Sequence, residues 1–566
     1  MTAEARDSNM ESACRNARWP TNVTILYPEN DAAFTNATVR WNAYSGPSYC
    51  AAVSPTTADQ VASIVKAANA ANVPFLATGG RHNFGTTLKN LQNGLAIDLS
   101  LMNSVTVDAE NGIAVIGGGA KIQTVLDAVS KAGFMIPSGT CGCAGYIGAG
   151  IGAGVGYLQG TLGLVIDSLV SVNLVIASGD CVEASETSNP DLFWAIRGAG
   201  ANFGIITAVF KLTKKVNNGE VYYADLIYSP DQKSAYFDLM ESLNGNYPSQ
   251  LGFSTTIYWN AQTNQTNILA TVFWAGTEAE AVKGLKPFFD INPVVAANKT
   301  LPADEIPKTV LLGIIQASCN TTNGIYGIHT VNVRQYSACT YSSVFDKFDA
   351  YLKQYPESQS SVLIFETFST KSSLAVPDGE TAYPWRDATG NIMLQFRWAG
   401  VNNQFANTAN EVAKELRTDL AATSGYPGLS AYVSYAFGDE TLEEMYGQDK
   451  LPRLLKLKEQ WDPDNRFAPI RPDSMANGSS TRQTRRNHVP SPTAYAQVMR
   501  MVIVGARLKV AYAGVFWQGN SRRASILFRS VVDRGPVKLF SDDKRLCNDR
   551  LLRVLVASYH CLYAMT

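Results

Sequence analysis

Two glycine-rich segments, each with one nucleophilic side chain, constrain most strongly what this chain can fold into. The first runs from Ala77 to Thr87 and contains Gly79, Gly80 and His82, and the second runs from Cys141 to Gly156. Because glycine has no Cβ, its backbone N–H groups can approach an anionic group such as a diphosphate without steric penalty. One such loop alone is weak support, since the second run could equally let a helix pack tightly. Together the two segments predict a backbone that lies close to a bound molecule.

Length and composition limit the class of protein. A chain of 566 residues is too long for one hydrophobic core, so two or three domains are expected. A content of 46% hydrophobic and 17% charged residues is typical of a globular protein. A net charge of −1 predicts no nucleic-acid partner. No apolar run is long enough to cross a bilayer, so no membrane partner is expected. Residues 1–20 lack an apolar stretch, so no secretory signal is visible and the compartment stays open.

The cysteines do not suggest a disulfide framework. Nine cysteines are scattered along the chain, and an odd number argues against a disulfide scaffold. Cys141 and Cys143 are too close for zinc-finger spacing and have no partner pair, so we expect no metal site. Cys143 is expected to be a buried free thiol.

Hydrophobic periodicity divides the chain into two parts. Thr57-Ala-Asp-Gln60 is typical of a helix start, and Val61, Ile64, Val65 and Ala68 follow at helical spacing. Up to residue 215 short strands alternate with short helices. From 216 to 435 long strands rich in Tyr, Thr, Val and Phe predict a large antiparallel sheet, open to a ligand on one face.

Four motifs, taken in order, resemble one family. The Gly79-Gly-x-His82 turn is followed by the glycine run after Cys141, then by Asp191–Gly198 and Ala199–Thr207. This order resembles the berberine bridge enzyme-like group of the vanillyl-alcohol oxidase superfamily, over about residues 45–470. The resemblance implies an α+β protein with a FAD-binding domain of the p-cresol methylhydroxylase (PCMH) type. The resemblance also implies a second domain, which binds the substrate and contains a large antiparallel sheet flanked by helices.

The resemblance and the composition together suggest domain limits. We expect an N-terminal extension at 1–44, the PCMH-type domain at 45–215 and the substrate domain at 216–435. The family's closing segment, which returns to the FAD domain, is expected at 436–470. Residues 471–566 form an atypical basic tail with sixteen Lys and Arg, five Asp and no Glu. We expect this tail to be disordered or non-native.

The family resemblance also implies how the cofactor is held. In this group a His bonds the flavin 8α-methyl and a Cys bonds C6, so the implied cofactor is FAD linked covalently to His82 and Cys141. The family pattern Cys-x-x-Val-Gly, with Ala144 in place of Val, selects Cys141 over Cys143. The residues implied to surround FAD are Thr78, Gly79, Gly80, Arg81, His82, Asn83, Phe84, Gly85, Ser100, Cys141, Gly145, Gly148, Gly150, Gly152, Gly156, Gly204 and Ile206.

Two catalytic residues are suggested by their likeness to family strands. Gln395, in Ile392–Trp398, corresponds to a Gln or Glu over the flavin and is expected to orient a substrate hydroxyl, because an amide is a poor base. Tyr432, in Ala431–Tyr435, is the expected base. Tyr435 lies three residues further along this strand and is expected to face away. Either candidate could equally be an alternating strand residue without function.

Three positions depart from the family pattern. Ser434 and Lys450 each stand where Asn is usual, and Leu162 replaces a common Tyr. These departures are expected to alter hydrogen bonding to the flavin.

The implied function is that of a FAD-dependent oxidase. It would remove hydride from an alcohol or hemiacetal carbon of a sugar or secondary metabolite and reduce O2 to H2O2. Its expected partners are a small-molecule substrate and O2, and it is expected to be a monomer; the family is often secreted. The alternatives are a tailoring dehydrogenase or oxidative cyclase of secondary metabolism, or a catalytically silent flavin- or sugar-binding protein. Substrate turnover would discriminate between them.

Overall fold

The computed structural model describes residues 11–215, 217–320, 324–400 and 405–467, and the strand segments 498–499, 510–517 and 524–530. It divides into two compact units, Met1–Gly478 and Ser479–Thr566. The first unit contains three main sheets and the candidate site. In the part that the structure describes, no helix is both long and apolar enough to cross a membrane.

The first sheet delivers the chain to the Gly79-Gly80 turn. Its strands, in spatial order, are Ile25–Leu26, Tyr49–Val53, Gly94–Asp98 and Phe75–Thr78. The last three run parallel, and helix Ala58–Ala70 connects two of them. The predicted helix start is confirmed, because Thr57 Oγ1 accepts a hydrogen bond from the Gln60 N–H at 3.3 Å. The predicted apolar face is buried as well.

The second sheet is antiparallel and shares an apolar core with Tyr146, Ile147 and Ile151 of the glycine run. Its spatial order is Val105–Asp108, Ile113–Ile116, Ile205–Lys211, Leu169–Val175 and Cys181–Ser185. Helices Ile122–Lys131 and Pro190–Ala199 bury apolar residues in the same core as this sheet. A hairpin around Ser178-Gly-Asp180 joins two of its strands.

The third sheet is the large antiparallel sheet that the sequence predicts. Its spatial order is Val294–Pro302, Glu220–Tyr228, Gln265–Trp274, Leu251–Asn260, Val362–Phe368, Gly390–Arg397 and Tyr326–Val333. Alternate residues of each strand point to opposite faces. One face shares a large apolar core with helices Lys233–Ser242, Ala338–Gln354 and Phe405–Thr423. The other face borders a cavity.

Shorter elements complete the first unit. Strands Phe134–Met135 and Thr213–Lys214 form a two-stranded pair. Further α-helices of the described residues are Ala32–Thr38, Tyr146–Gly150, Gln159–Leu162, Glu278–Gly284, Lys286–Asp290, Ile306–Thr309, Ile314–Ser318, Leu442–Tyr446 and Leu451–Trp461.

Two sequence-based expectations differ from the structure. Disulfides join Cys14 to Cys50 and Cys143 to Cys319, so Cys143 is not the expected free thiol. The predicted strand Ala431–Tyr435 is instead an irregular segment that ends in the 3-10 turn Val433–Tyr435.

The basic tail was expected to be disordered or non-native. Within the second unit, Val498–Met499, Val510–Trp517 and Ala524–Ser530 form an antiparallel sheet, and the expectation for the tail stays a prediction. The rest of the predicted tail lies outside the described residues.

Candidate functional site

A cavity of about 400 Å³ brings the two glycine-rich segments together. Its wall includes both segments, one face of the seven-stranded sheet, the helix Ile314–Ser318 and the turn Val433–Tyr435. Most of the residues expected around a cofactor line it, namely Thr78, Gly79, Gly80, Arg81, His82, Asn83, Phe84, Cys141, Gly145, Gly148, Gly152, Gly204 and Ile206, together with Gln395.

Four expected cofactor residues are not part of this wall. The Gly85 N–H bonds the Asn83 side chain at 2.8 Å, and the Ser100 hydroxyl donates to Asp98 at 2.7 Å. A Cβ on Gly150 would meet Val165 at 2.8 Å, and one on Gly156 would meet the Ser138 carbonyl oxygen at 2.0 Å. These two glycines therefore serve close packing, which is the alternative that the sequence left open for the glycine run.

The two glycine segments touch each other through their backbones. A Cβ on Gly80 would lie 2.2 Å from the Gly145 nitrogen, a separation that no real side chain tolerates. Gly148 is different, because a Cβ there would meet no protein atom within 4 Å, although the residue lines the cavity. Nearby, Thr78 Oγ1 is buried without a hydrogen-bond partner among the described residues. A buried polar atom of this kind calls for a partner from a bound molecule.

His82 presents a neutral imidazole to the cavity. Its ring stacks on Trp41 with 5.6 Å between ring centroids. Burial, together with the positive charges of Lys121 and Arg40, lowers the pKa of His82 to about 4. Above that pH a ring nitrogen carries a free lone pair, which is the state that a nucleophile requires.

Cys141 lies beside His82. The ligand atoms of His82, Cys141 and Cys143 are all within 4.8 Å of one another. Cys143 has its sulfur in a disulfide, so these three do not form a metal-binding set. Burial raises the pKa of the Cys141 thiol. The 8α-methyl and C6 of a flavin lie at the same edge of one ring, with C7 between C6 and C8, so two nucleophiles this close to each other fit that edge.

A hydrogen-bonded pair, Glu366 and Tyr435, forms part of the cavity wall next to Cys141. Glu366 accepts a hydrogen bond from Thr140 at 2.7 Å and another from the Tyr435 hydroxyl at 2.9 Å. Glu366 and Tyr435 line the cavity, and Glu366 is 2% exposed. Burial raises the pKa of Glu366 to about 7, and burial beside Glu366 raises that of Tyr435. A carboxylate near neutral pKa beside a hydroxyl can accept and release a proton.

Tyr432, the expected base, lies elsewhere. Its hydroxyl donates to the Ala149 carbonyl oxygen at 3.2 Å and accepts from the Gly154 N–H at 3.0 Å. It is 2% exposed and is not among the cavity-lining residues. The turn at Val433–Tyr435 explains the difference, because the two-residue alternation of a strand does not apply there. Tyr435, expected to face away, reaches the cavity instead.

The three departures from the family pattern have different surroundings. Ser434 lines the cavity, and its Oγ would lie 2.3 Å from a Cβ on Gly152. Lys450 is buried, and its Nζ donates to the carbonyl oxygens of Asp378, Thr381 and Tyr383 at 2.6–2.9 Å. Lys450 thus fixes a loop. Leu162 is not among the cavity-lining residues.

Sequence reasoning missed Glu366, Tyr435 and Trp41. The available signal for Glu366 was a single acidic residue inside the apolar strand Val362–Phe368, because a buried carboxylate in such a strand is costly unless it has partners. Trp41 lies in the predicted extension 1–44, and its stacking partner is known only from the fold.

Comparisons with known proteins agree with this site. A family model described as "FAD binding domain" matches residues 50–185, and one described as "Berberine and berberine like" matches residues 431–469. The FAD-linked oxidoreductase srdI of Neurospora crassa is 44% identical over 448 residues, covering 79% of this chain and 89% of that protein. The FAD-linked oxidoreductase fogF of Aspergillus ruber is 39% identical, covering 82% and 95%.

Solved structures share the fold at lower identity. A BBE-like 1 protein of Physcomitrella patens has a TM-score of 0.70 and 22% identity, with 81% of this chain and 98% of that chain covered. A xylooligosaccharide oxidase of Myceliophthora thermophila has a TM-score of 0.69 and 20% identity, with the same coverage. The glycine cradle, the unpartnered Thr78 hydroxyl and the nucleophile pair fit FAD. This chain therefore belongs to the berberine bridge enzyme-like family of FAD-linked oxidoreductases.

Proposed function

We propose that this chain is an oxidase that converts an alcohol or hemiacetal carbon to a carbonyl, with FAD bonded to His82 and Cys141. The observation that carries the proposal is the Glu366–Tyr435 pair, which lines the same cavity as the two nucleophiles. Thr140 joins the two features, because it precedes Cys141 in the chain and donates to Glu366 at 2.7 Å.

In this proposal Tyr435 and Glu366 remove the substrate's hydroxyl proton. The Tyr435 hydroxyl donates to Glu366, so its oxygen lone pair can accept a hydrogen bond from the substrate. As the substrate O–H proton moves to Tyr435, the Tyr435 proton moves to Glu366. This relay avoids a free phenolate, which burial beside Glu366 disfavours. Gln395 remains the proposed group that orients the substrate, on the same wall.

Bound FAD supplies the two-electron acceptor for the hydride that leaves the substrate carbon, and O2 then takes both electrons to give H2O2. His82 and Cys141 hold the cofactor's ring edge in place. The neutral imidazole of His82 has a lone pair available, and Cys141 has the thiol that a thioether requires. O2 as the acceptor, and a monomeric state, are part of the proposal.

A flavin peptide map combined with a peroxide assay tests the proposal. Acid-precipitated protein should stay yellow, and a tryptic digest should yield one flavin that joins the peptides of His82 and Cys141. A substrate screen should then give one H2O2 per substrate oxidised. Flavin released entirely into the supernatant would remove the covalent part. A flavin that substrates reduce but O2 does not reoxidise would favour the dehydrogenase alternative.

A further inference from the structure

Three of the six residues of the large sheet that line the cavity are aliphatic, namely Ile328, Ile364 and Met393. On adjacent strands Ile364 pairs with Met393, and Ile328 pairs with Gln395. All four line the cavity, and Ile315 lines it too, from the helix Ile314–Ser318. This surface belongs to the same wall as Glu366, which lies two residues beyond Ile364 on one strand and so on the same face.

Aliphatic residues in the cavity wall make the binding of a sugar unfavourable. Each sugar hydroxyl that leaves water needs a new hydrogen bond, and a buried polar group without one costs free energy. The polar residues on this face are Ser254, Glu366 and Gln395. Ser254 is already hydrogen-bonded to the Tyr157 hydroxyl at 3.1 Å, and Glu366 is hydrogen-bonded to Thr140 and Tyr435. A hydrocarbon body, by contrast, gains from burial against Ile328, Ile364 and Met393.

We infer that the substrate is an alcohol whose reacting carbon is attached to an apolar body, and not an oligosaccharide. This inference rests on the proposed function. The carbon loses hydride, the hydroxyl loses its proton through Tyr435 to Glu366, and an aldehyde or ketone leaves. O2 accepts the two electrons with two protons and leaves as H2O2.

A series of 4-alkylbenzyl alcohols with growing alkyl chains tests this inference, with cellobiose as the sugar probe. Each methylene that enters the apolar wall should raise kcat/KM by about fourfold, the ratio expected for burying one CH2. Cellobiose should leave the flavin oxidised under anaerobic conditions. If cellobiose reduces the flavin and the benzyl alcohols do not, the inference is wrong while the oxidase proposal stands. If neither class reduces it, the oxidase proposal itself fails.

A matched pair of variants locates the effect. Met393→Gln keeps the side-chain length but adds polar atoms, so the gain in kcat/KM per methylene should shrink towards onefold. Val282→Gln also introduces a polar amide, at a residue that is 59% exposed and outside the cavity wall. This variant should show the same gain in kcat/KM per methylene as the wild type. The inference is wrong if kcat/KM of the wild type does not depend on alkyl length. It is also wrong if Met393→Gln and Val282→Gln show the same gain in kcat/KM per methylene.

A second observation concerns the fate of the Cys141 thiol. Its Sγ lies 3.4 Å from the Sγ of Cys143, and Cys143 is in a disulfide with Cys319. Two thiols so close together, two residues apart, could be oxidised to a disulfide by peroxide, with two molecules of water as the other product. A Cys141–Cys143 disulfide would leave no thiol to bond a flavin.

We propose that Cys319 protects Cys141 by keeping Cys143 in a disulfide. With Cys143 occupied, Cys141 stays a thiol next to His82, available for a bond to the flavin ring. Exchange between Cys141 and the adjacent disulfide requires the thiolate. Burial holds the pKa of Cys141 above its ordinary value, which keeps that reaction slow.

Cysteine variants test this protective role without relying on activity. Cys141 and Cys143 fall on one tryptic peptide, between Lys131 and Arg197. In Cys319→Ser treated with H2O2, this peptide should lose two hydrogen masses and the flavin should be held through His82 alone. The double variant Cys143→Ser/Cys319→Ser should regain the Cys141–flavin bond. Cys181→Ser, at an exposed free cysteine, serves as the control.

The double variant separates protection from tethering. It lacks the Cys143–Cys319 crosslink as well, so if both variants lose the Cys141–flavin bond, the disulfide acts as a tether and the proposal is wrong. A Cys319→Ser protein that keeps free thiols at Cys141 and Cys143 after peroxide also overturns it. The peptide masses of cofactor-free protein report the disulfide even if the flavin is bound through His82 only.

Discussion

Tyr435 donates a 2.9 Å hydrogen bond to Glu366, and the buried Glu366 and half-buried Tyr435 both lie in the wall of the cavity. The turn Val433–Tyr435 creates this contact, because it rotates Tyr435 towards the sheet while Tyr432 points into the glycine run. A tyrosine and a carboxyl with a pKa near neutrality are therefore joined in one unit that can move a proton.

Substitutions at this pair should slow the reductive half-reaction and leave the flavin in place. Tyr435→Phe and Glu366→Gln should each lower the rate constant of flavin reduction by about 100-fold or more, because general-base catalysis is lost. Stopped-flow absorbance under anaerobic conditions measures this rate. Tyr432→Phe, the matched control, should reduce its flavin within a few-fold of the wild-type rate. The reverse ranking, with Tyr432→Phe the slow variant, would restore Tyr432 as the base.

The same rate should depend on pH in a defined direction. Glu366 must be ionised to accept the proton, and burial raises its pKa to about 7. The rate of flavin reduction at saturating substrate should therefore be low in acid, rise through about pH 7 and level off above it. Glu366→Gln should abolish this inflection. A wild-type rate constant that changes by less than about twofold between pH 5.5 and 8.5 would argue against a titrating Glu366.

Gly148 allows cofactor binding to be separated from folding. A Cβ there would meet no protein atom within 4 Å, yet the residue lines the cavity. Gly148→Val should therefore keep most of the wild-type Tm of the cofactor-free protein but take up little flavin. Gly379→Ala, at an exposed glycine that also has open space around its Cβ position, is the control and should bind flavin normally. Full flavin content in Gly148→Val would show that FAD does not occupy this part of the cavity.

Lys450 should matter for stability and not for the flavin. Its buried ammonium donates to three carbonyl oxygens in the loop at 378–383 and to the Asp378 carboxylate. Lys450→Met leaves buried acceptors unpaired, at about 1–3 kcal/mol each, and should lower Tm clearly. Lys286→Met removes an exposed ion pair with Asp290 and should change stability by about 0.5 kcal/mol or less. A changed flavin spectrum in Lys450→Met at unchanged Tm would contradict this role.

Local patterns predicted much of the fold. The helix after Thr57 follows from side-chain spacing, which the sequence displays directly, and the strand that carries Gln395 was implied by the family resemblance. The glycine segments around His82 and Cys141 indicated a backbone close to a bound molecule, whereas the contact of Gly80 with Gly145 is seen only in the fold. The identity of the cofactor came from the resemblance, since glycine spacing by itself is compatible with packing alone.

Contacts between distant residues could not be predicted in this way. Cys143 and Cys319 are 176 positions apart, and Tyr435 and Glu366 are 69 apart, so no local period connects them. The turn at Val433–Tyr435 also interrupts a segment whose residues resemble a strand. The direction of a tyrosine there depends on tertiary packing, which overrides propensity.

The alternation of the large sheet has an evolutionary consequence. Ile364 and Met393 face the cavity, while their chain neighbours Leu363 and Ile392 face the apolar core. Replacement at a cavity position therefore changes what the protein recognises without disturbing the packing that holds the sheet together. Lineages can drift to new substrates one side chain at a time, which is how a shared architecture can persist between proteins that have little sequence in common.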